Sequence, residues 1–315
     1  MALYKSIDLS AVIKIDDWHA LDEELAGSRV KRTMANPQSD ELFVFKEPKA
    51  QREAQIWSEL IASFISGDLL EWPVQHAQIA MRDGRVGNLL KYVYDPHLET
   101  FLAGEQFCKH VDPGFDPVQG KRHTWELIKK IHNGFLGLNE DGTIQNGPMR
   151  DMYFKFWART IAFDTLISNT DRHAENWAIL RSADDFTMAA FYDNASSLGC
   201  EVENNGLNKW FSKDDFIIES KVSSYTANGC HHLREGDIRF KFEALTKLVL
   251  NELPEFRSEF EAIANLDLNP VEGVLNDICA INEVPEPAKM TSRRRVQITR
   301  LLQEGQARVI RALKE

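Results

Sequence analysis

The 315-residue sequence has no apolar run of membrane-spanning length and no long apolar core behind its first residues, MALYKSIDLS. The first absence excludes a helical membrane protein, and the second argues against a secretory signal peptide. Cysteine is scarce: Cys108, Cys200, Cys230 and Cys279 lie far apart and form no CxxC pair. A disulfide framework is therefore not expected, and a reducing, cytoplasmic setting fits. Positive charge is in deficit, with a formal net charge of -11 and a pI of about 5.4. That balance argues against a general nucleic-acid binder and disfavours docking on an anionic membrane. The one arginine run, Arg293-Arg294-Arg295, reads as a solvated helix start. Internal repeats and low-complexity tracts are also lacking. With 43% hydrophobic and 27% charged residues, an ordinary globular chain of one or two domains remains.

What is present is unevenly distributed. Residues 1–92 are strand-rich. YKSIDLSAVIKI contains short alternating stretches, and RVKRTM, the polar turn ANPQSDE and LFVFKEP read as strand, turn, strand. With a period of two, Lys46 shares a face with Leu42 and Val44. A lysine in that place either carries its amine into water or reaches a nucleotide phosphate, and the strand alone leaves both open. Residues 52–65 predict an amphipathic helix ended by Gly67 and Asp68, with Glu59, Ala62 and Ser63 on a face away from the apolar stripe. WPVQHAQIAM, RDGRVG and NLLKYVY then predict a hairpin, and a boundary is expected near Tyr92 to Pro96. Residues 93–315 are mainly helical. TWELIKKIHNGFLGL is one predicted helix, GTIQNGP a loop, and 152–167 a helix apolar on nearly every side, hence central and buried. From Glu235 onward the pattern reads as helical, broken at Pro254, Pro270, Pro285 and Pro287.

The chemistry concentrates in NTDRHAENW, residues 169–177, which leaves the apolar helix and at once displays Asp171, Arg172, His173 and Asn176. A loop tethered to a rigid buried element is a usual place for catalytic groups. Trp177 to Leu180 and Phe186 to Tyr192 predict two short strands about the turn SADD, followed by Asp193-Asn194. In a tight antiparallel hairpin the start of the first strand lies beside the end of the second. Asn176 and Asp193 are therefore expected to meet, with Asp171 close by on the same loop. Two carboxylates and an amide oxygen suit magnesium held together with phosphate oxygens. A remaining carboxylate can orient a hydroxyl and accept its proton. Phosphoryl transfer needs both services, plus a cation and backbone amides for the phosphates. Lys46 can supply the cation and the Gly27-Ser28 turn the amides. A carboxylate on the next helix is needed to fix Lys46, and of Glu53 and Glu59 the second is preferred.

LISNTDRHAENWAIL followed by AAFYDNASSLG resembles the core of HipA-like serine/threonine kinases, relatives of bacterial toxin–antitoxin toxins. The likeness covers roughly residues 25–200. It implies an α+β, two-lobed protein-kinase-like fold, with a small strand-rich lobe over 1–92 and a larger, mostly helical lobe over 93–315. ATP and magnesium are the implied cofactors. Carried over by position, Asp171 is the catalytic base, and Asn176 and Asp193 are the metal ligands. LFVFKEP resembles the ATP-lysine strand, which assigns Lys46 to the phosphates, and REAQIWSELIAS resembles the helix after it, which carries Glu59. NLLKYVY resembles the hinge that holds adenine, which implicates Lys91, Tyr92 and Val93. Gly27, Ser28 and His173 complete the implied nucleotide site, His173 chiefly by orienting the loop. The resemblance implies a protein substrate and a small antitoxin or regulatory partner, with no direct nucleic-acid binding and no membrane. The chain starts almost directly at the strand-rich lobe, so the extra N-terminal subdomain of longer HipA toxins is not expected. Tyr192-Asp193-Asn194 stands where many protein kinases have Asp-Phe-Gly, so no activation-segment flip is implied.

Competing readings are a small-molecule or lipid kinase, because D-R-H-x-x-N is also close to the lipid-kinase loop, and a nucleotide-binding pseudokinase. Arg172 is expected to pair with a carboxylate or to touch substrate phosphate. Ser196 and Ser197 read as turn caps. Cys230-His231-His232 lacks the paired short spacings of a zinc site and reads as a surface loop.

Overall fold

The alternating, aromatic-rich segments before residue 92 build one six-stranded sheet. Its strands are β1 (Val12–Lys14), β2 (His19–Glu24), β3 (Lys31–Ala35), β4 (Leu42–Lys46), β5 (Ala77–Arg82) and β6 (Arg85–Lys91), in the order β1-β5-β6-β4-β3-β2. All neighbours are antiparallel except β1, which runs parallel to β5. Asp83 and Gly84, both at positive φ, close the β5–β6 hairpin, as expected of an Asp-Gly pair. The computed structural model describes residues 11–24, 30–39, 41–118, 120–136, 148–183 and 185–314. Gly27, Ser28 and residues 142–147 of the predicted GTIQNGP loop lie outside the described residues, and its Pro148 begins a helix.

The alternation along β4 sorts the two faces of the sheet. Phe45 packs with Ile15, Met34, Ala80 and Leu89, and Phe43 joins them. Val44 and Lys46 therefore point to the opposite face. Asn88, opposite Lys46 in the ladder, donates to the carbonyl of Ile56 at 3.0 Å. That carbonyl belongs to helix α1 (Gln55–Phe64), so the lysine face is the helix face. The expected amphipathicity of α1 is corrected: every residue from Gln55 to Ser63 is buried, including Glu59, Ala62 and Ser63. The reason is a second layer from distant sequence. Ser58 donates to the Ser197 carbonyl at 2.8 Å, and Trp57 to the Ala288 carbonyl at 2.8 Å.

These bonds explain why the chain divides into two units that are discontinuous in sequence. One comprises Met1–Val93, Asp193–Ser223 and Leu266–Gln303; the other comprises Tyr94–Tyr192, Ser224–Asn265 and Glu304–Glu315. In the first unit the arginine run is not wholly solvated. Arg294 is buried and donates to the carbonyls of Gly199 and Val202.

The second unit is mainly helical around a small sheet. It contains β7 (Thr100–Ala103), α2 (Gly104–Val111), α3 (Trp125–Ile131), α4 (Pro148–Ile167), β8 (Ala178–Arg181) and β9 (Phe186–Met188), with sheet order β7-β8-β9. Helix α4 is central, as its pattern predicts: Tyr153, Trp157, Ile161, Phe163, Leu166 and Ile167 are fully buried. The second strand of the hairpin is shorter than expected, ending at Met188, although the Ala189 amide still bonds the Ala178 carbonyl at 3.0 Å. Cys230–Glu235 and Ile238–Lys241, expected as surface loop and helix, are the antiparallel strands β10 and β11. A two-residue turn through Gly236, at positive φ, joins them. His231, His232 and Leu233 are buried, so a run that looks polar is a packed strand. The four cysteines are free.

The helix Ser292–Lys314 reaches the end of α4 through one small residue. A Cβ on Gly305 would stand 2.0 Å from the Leu166 carbonyl oxygen, a backbone atom that cannot step aside. Gly305→Ala is expected to lose about 1–3 kcal/mol of stability, the usual range for overpacking, despite the higher helix propensity of alanine. Urea denaturation of the two proteins measures it.

Candidate functional site

Lys46 ends β4 on the helix face and is only 4% exposed, so its amine is not in bulk water. Its Nζ stands 2.7 Å from Oδ1 of Asp193. Asp193 sits at φ 53°, a left-handed conformation that aspartate tolerates better than most residues. The next peptide is pinned: the Asn194 amide donates to Oε1 of Glu59 at 2.9 Å. The other oxygen, Oε2, is buried without a hydrogen-bond partner. The carboxylate paired with Lys46 is thus Asp193, while Glu59 holds the backbone beside it. Glu53 is occupied with the amide of Gln51 at 3.1 Å. The Ser197 hydroxyl closes a turn on the Asn194 carbonyl at 2.7 Å.

Lys91 lies at the end of β6 with its groups engaged inside the same unit. Its amide donates to the His76 carbonyl at 3.0 Å, its carbonyl accepts from Gln75 at 2.8 Å, and its amine pairs with Glu41 at 3.0 Å. The Tyr92 hydroxyl bonds Thr33 at 3.1 Å, and Val93 is the last residue before the chain enters the second unit.

In the second unit the loop after α4 is organised by Arg172, which is 1% exposed. Its Nε and Nη2 make a two-pronged ion pair with Asp164 at 3.0 and 2.8 Å. Its Nη1 donates to the carbonyls of Asn176 at 3.1 Å and Tyr192 at 2.9 Å. One guanidinium therefore ties the residue before β8 to Tyr192, beyond β9, and the next residue in the chain is Asp193. Asn169 forms an Asx turn to the Asp171 amide at 3.1 Å and donates to Asp164 at 3.0 Å. The Asn176 amide nitrogen donates to the Asp171 carbonyl at 2.7 Å, which commits that end of the side chain and leaves its oxygen as the acceptor end. His173 accepts from the Glu175 amide at 3.2 Å, a local loop bond.

Behind the loop is a buried imidazole relay. The Trp177 indole can only donate, and it points at Nε2 of His123 at 3.4 Å. His123 then carries its proton on Nδ1 and donates to Nδ1 of His232 at 3.1 Å. The His173 ring meets the His232 ring edge-on at 5.9 Å. Burial, reinforced by the neighbouring imidazoles, pushes His123 well below the ordinary histidine range. Burial and the charge of Arg239 bring His232 down to about 3. Asp164 is also fully buried, which by itself raises its carboxyl. Arg172 and His231 outweigh that and hold it below the usual range. His231 completes the set at 3.1 Å from Asp164.

The sequence pattern does not point to Asp164 or His123, and it makes His231 and His232 look like a surface loop. A lone carboxylate inside an otherwise apolar helix was the available signal, because a fully buried acid needs partners. Among the described residues no cluster of three or more His, Cys, Asp or Glu side chains is placed to hold a metal. No helix among them is long and apolar enough to cross a membrane.

No family model and no curated protein matches the chain. Solved structures do. The proinflammatory kinase CtkA of Helicobacter pylori superposes with a TM-score of 0.74 at 16% identity, over 96% of this chain and 97% of that one. HipA of Shewanella oneidensis MR-1, in its toxin–antitoxin complex with HipB and operator DNA, gives a TM-score of 0.49 at 11% identity, over 91% of this chain and 64% of that one. The α+β fold is that of a kinase, in agreement with the resemblance read from the motifs.

Two outcomes follow from the loop. Asp164→Asn leaves Arg172 as a buried charge without a counterion and is expected to lose about 3–5 kcal/mol, measured by urea unfolding. His123 and His232 weaken the fold in acid. Their folded values lie below the unfolded one, so the neutral pair stabilises the fold fully above pH ~6.5 and progressively less as pH falls towards the folded values. Each contributes a slope of about 1.4 kcal/mol per pH unit in that window. His232→Gln is expected to flatten the fall in unfolding free energy between pH 6.5 and 5, read from urea melts across that range.

Proposed function

We propose that the chain is an ATP- and magnesium-dependent kinase that phosphorylates a serine or threonine hydroxyl of a protein in the cytoplasm. The observation that carries the reading is the ion pair at 2.7 Å between the buried Lys46 and the half-buried Asp193, joining the ATP-lysine strand to the aspartate after the hairpin. The donor types fit the metal. Asp193 offers a carboxylate and Asn176 an amide oxygen, and magnesium takes few protein ligands and completes its shell with phosphate and water. The orphaned Glu59 Oε2 fits as well, since it is the acceptor Lys46 needs when Asp193 turns to a metal. Bound magnesium would neutralise charge on the phosphates.

The residues then have separate tasks. Lys46 contacts the nucleotide phosphates. Glu59 fixes the Asn194 amide and receives the lysine. Asp171 orients the acceptor hydroxyl and takes its proton as the hydroxyl oxygen bonds the γ-phosphorus. The bond from that phosphorus to the β,γ-bridging oxygen breaks, and ADP leaves. Gly27 and Ser28 supply backbone amides, Lys91 to Val93 flank the adenine, and His173 keeps the loop in shape. A small antitoxin-like or regulatory protein is the proposed partner, on the strength of the sequence resemblance.

Incubation with γ-labelled ATP, magnesium and a bacterial lysate tests the reading. Phosphoserine or phosphothreonine in protein is expected, and Asp171→Asn should lower the rate by ~10²–10⁴-fold without moving the melting temperature. An unchanged rate would remove Asp171 from the mechanism. Label found only in lipid or metabolites would move the acceptor to a small molecule. ATP–magnesium that stabilises the protein without any phosphoproduct would make it a pseudokinase.

A further inference from the structure

The kinase reading leaves a second polar concavity of the first unit unused. It has a volume of about 170 Å³ and is lined by Arg32, Phe45, Glu47, Arg82, Asp83 and Arg85. Phe45 and Lys46 are successive residues of one strand and point to opposite faces of the sheet. The concavity therefore lies on the face away from Lys46 and α1.

Three guanidinium groups from β3, β5 and β6 line a space of this size in a chain whose net charge is -11. Arg82 and Arg85 stand directly opposite each other in the ladder, an arrangement of like charges that weakens a hairpin by itself. Their existing partners are poor. Arg82 is only 17% exposed, yet its Nη1 donates to the thioether of Met34 at 3.0 Å, a weak acceptor. Its Nε is buried without a hydrogen bond, and the Asp83 carboxylate is 3.8 Å away. Arg85 is 3.6 Å from Glu47, also beyond hydrogen-bonding distance. Arg32 makes no ion pair among the described residues. The Phe45 ring forms an apolar wall, and Gly87 leaves room for it, since a Cβ there would be 2.9 Å from the ring.

We propose that this pocket binds a phosphate dianion, either free inorganic phosphate or the phosphoryl group of a phosphorylated serine or threonine side chain. Planar guanidinium forks match the oxygens of a tetrahedral phosphate, and the charge-assisted bonds would satisfy the donors of Arg82 and relieve the Arg82–Arg85 repulsion. A nucleotide does not fit the size, because pockets for ligands of that class occupy ~300–1,000 Å³. The assignment does not depend on the kinase reading.

Equilibrium dialysis against labelled orthophosphate at constant ionic strength tests it. Saturable binding of one phosphate per chain is expected, weakened about tenfold or more in Arg82→Gln and in Arg32→Gln, each losing a charge-assisted bond. Arg85→Gln, at an exposed position, provides a variant that keeps the fold and should weaken binding in the same direction. Binding should persist in Lys46→Met, which separates this pocket from the nucleotide site. Fluorescence anisotropy with a labelled phosphoserine peptide and its unphosphorylated twin distinguishes the sources. A phosphopeptide that binds more tightly than orthophosphate, with its twin silent, assigns the pocket to a modified side chain; one that binds no more tightly assigns it to free phosphate. No saturable binding of either, or equal binding in wild type and all three arginine variants, overturns the proposal.

Discussion

A guanidinium and a carboxylate, both removed from water, hold the functional loop in place. Taking Asp164 and Arg172 out of solvent costs several kcal/mol per ion, and their attraction offsets this only if the remaining lone pairs and protons are used. Here they are. Asp164 accepts from Nε and Nη2 of Arg172, from Asn169 and from His231. Arg172 spends its other arm on the carbonyls of Asn176 and Tyr192. The pair adds little net stability for its size, and its effect is geometric. Asp164 belongs to the central, buried helix of the unit, so the loop is anchored directly to the packed core. The guanidinium also closes the hairpin at the end where the chain passes to Asp193.

The imidazoles behind the loop follow the same logic with neutral groups. A charged histidine would be costly in that interior, and burial keeps His123 and His232 uncharged. Neutral imidazole has one donor and one acceptor, so the indole of Trp177 dictates the order of protons along the relay. Trp177 directly follows Asn176 and opens the strand region. The loop is thus held at one end by ion pairing and at the other by a hydrogen-bond chain with a single direction.

Local signals were legible in the sequence and distant pairings were not. The buried character of α4 followed from apolar residues on every side, and the Asp-Gly turn and the β8–β9 hairpin followed from turn chemistry. The residues DRHAEN advertised a polar loop after the helix, and the structure has one there. Three features escaped. Glu59, Ala62 and Ser63 looked like a solvent face because periodicity reports polarity, whereas Glu59 takes the amide of the distant Asn194 and Ser63 that of Ala77 on β5. Arg294 looked solvated because its acceptors are backbone carbonyls near residue 200, which a sequence does not display. His231 and His232 looked like a polar loop, because their burial depends on partners distant in the chain, Asp164 for the first and His123 for the second.

Burial without satisfaction is the more telling feature around Lys46. Leaving a buried acceptor unpaired costs about 1–3 kcal/mol, so folded proteins rarely keep one without a reason. Glu59 keeps one at Oε2, on a helix buried throughout, while its other oxygen pins the peptide that follows Asp193. Asp193 itself is held in a left-handed conformation. The segment after β9 is thus anchored twice within one unit, by the strand through Lys46 on the Asp193 carboxylate and by the helix through Glu59 on the Asn194 amide, so its backbone and its side chain are fixed by different elements.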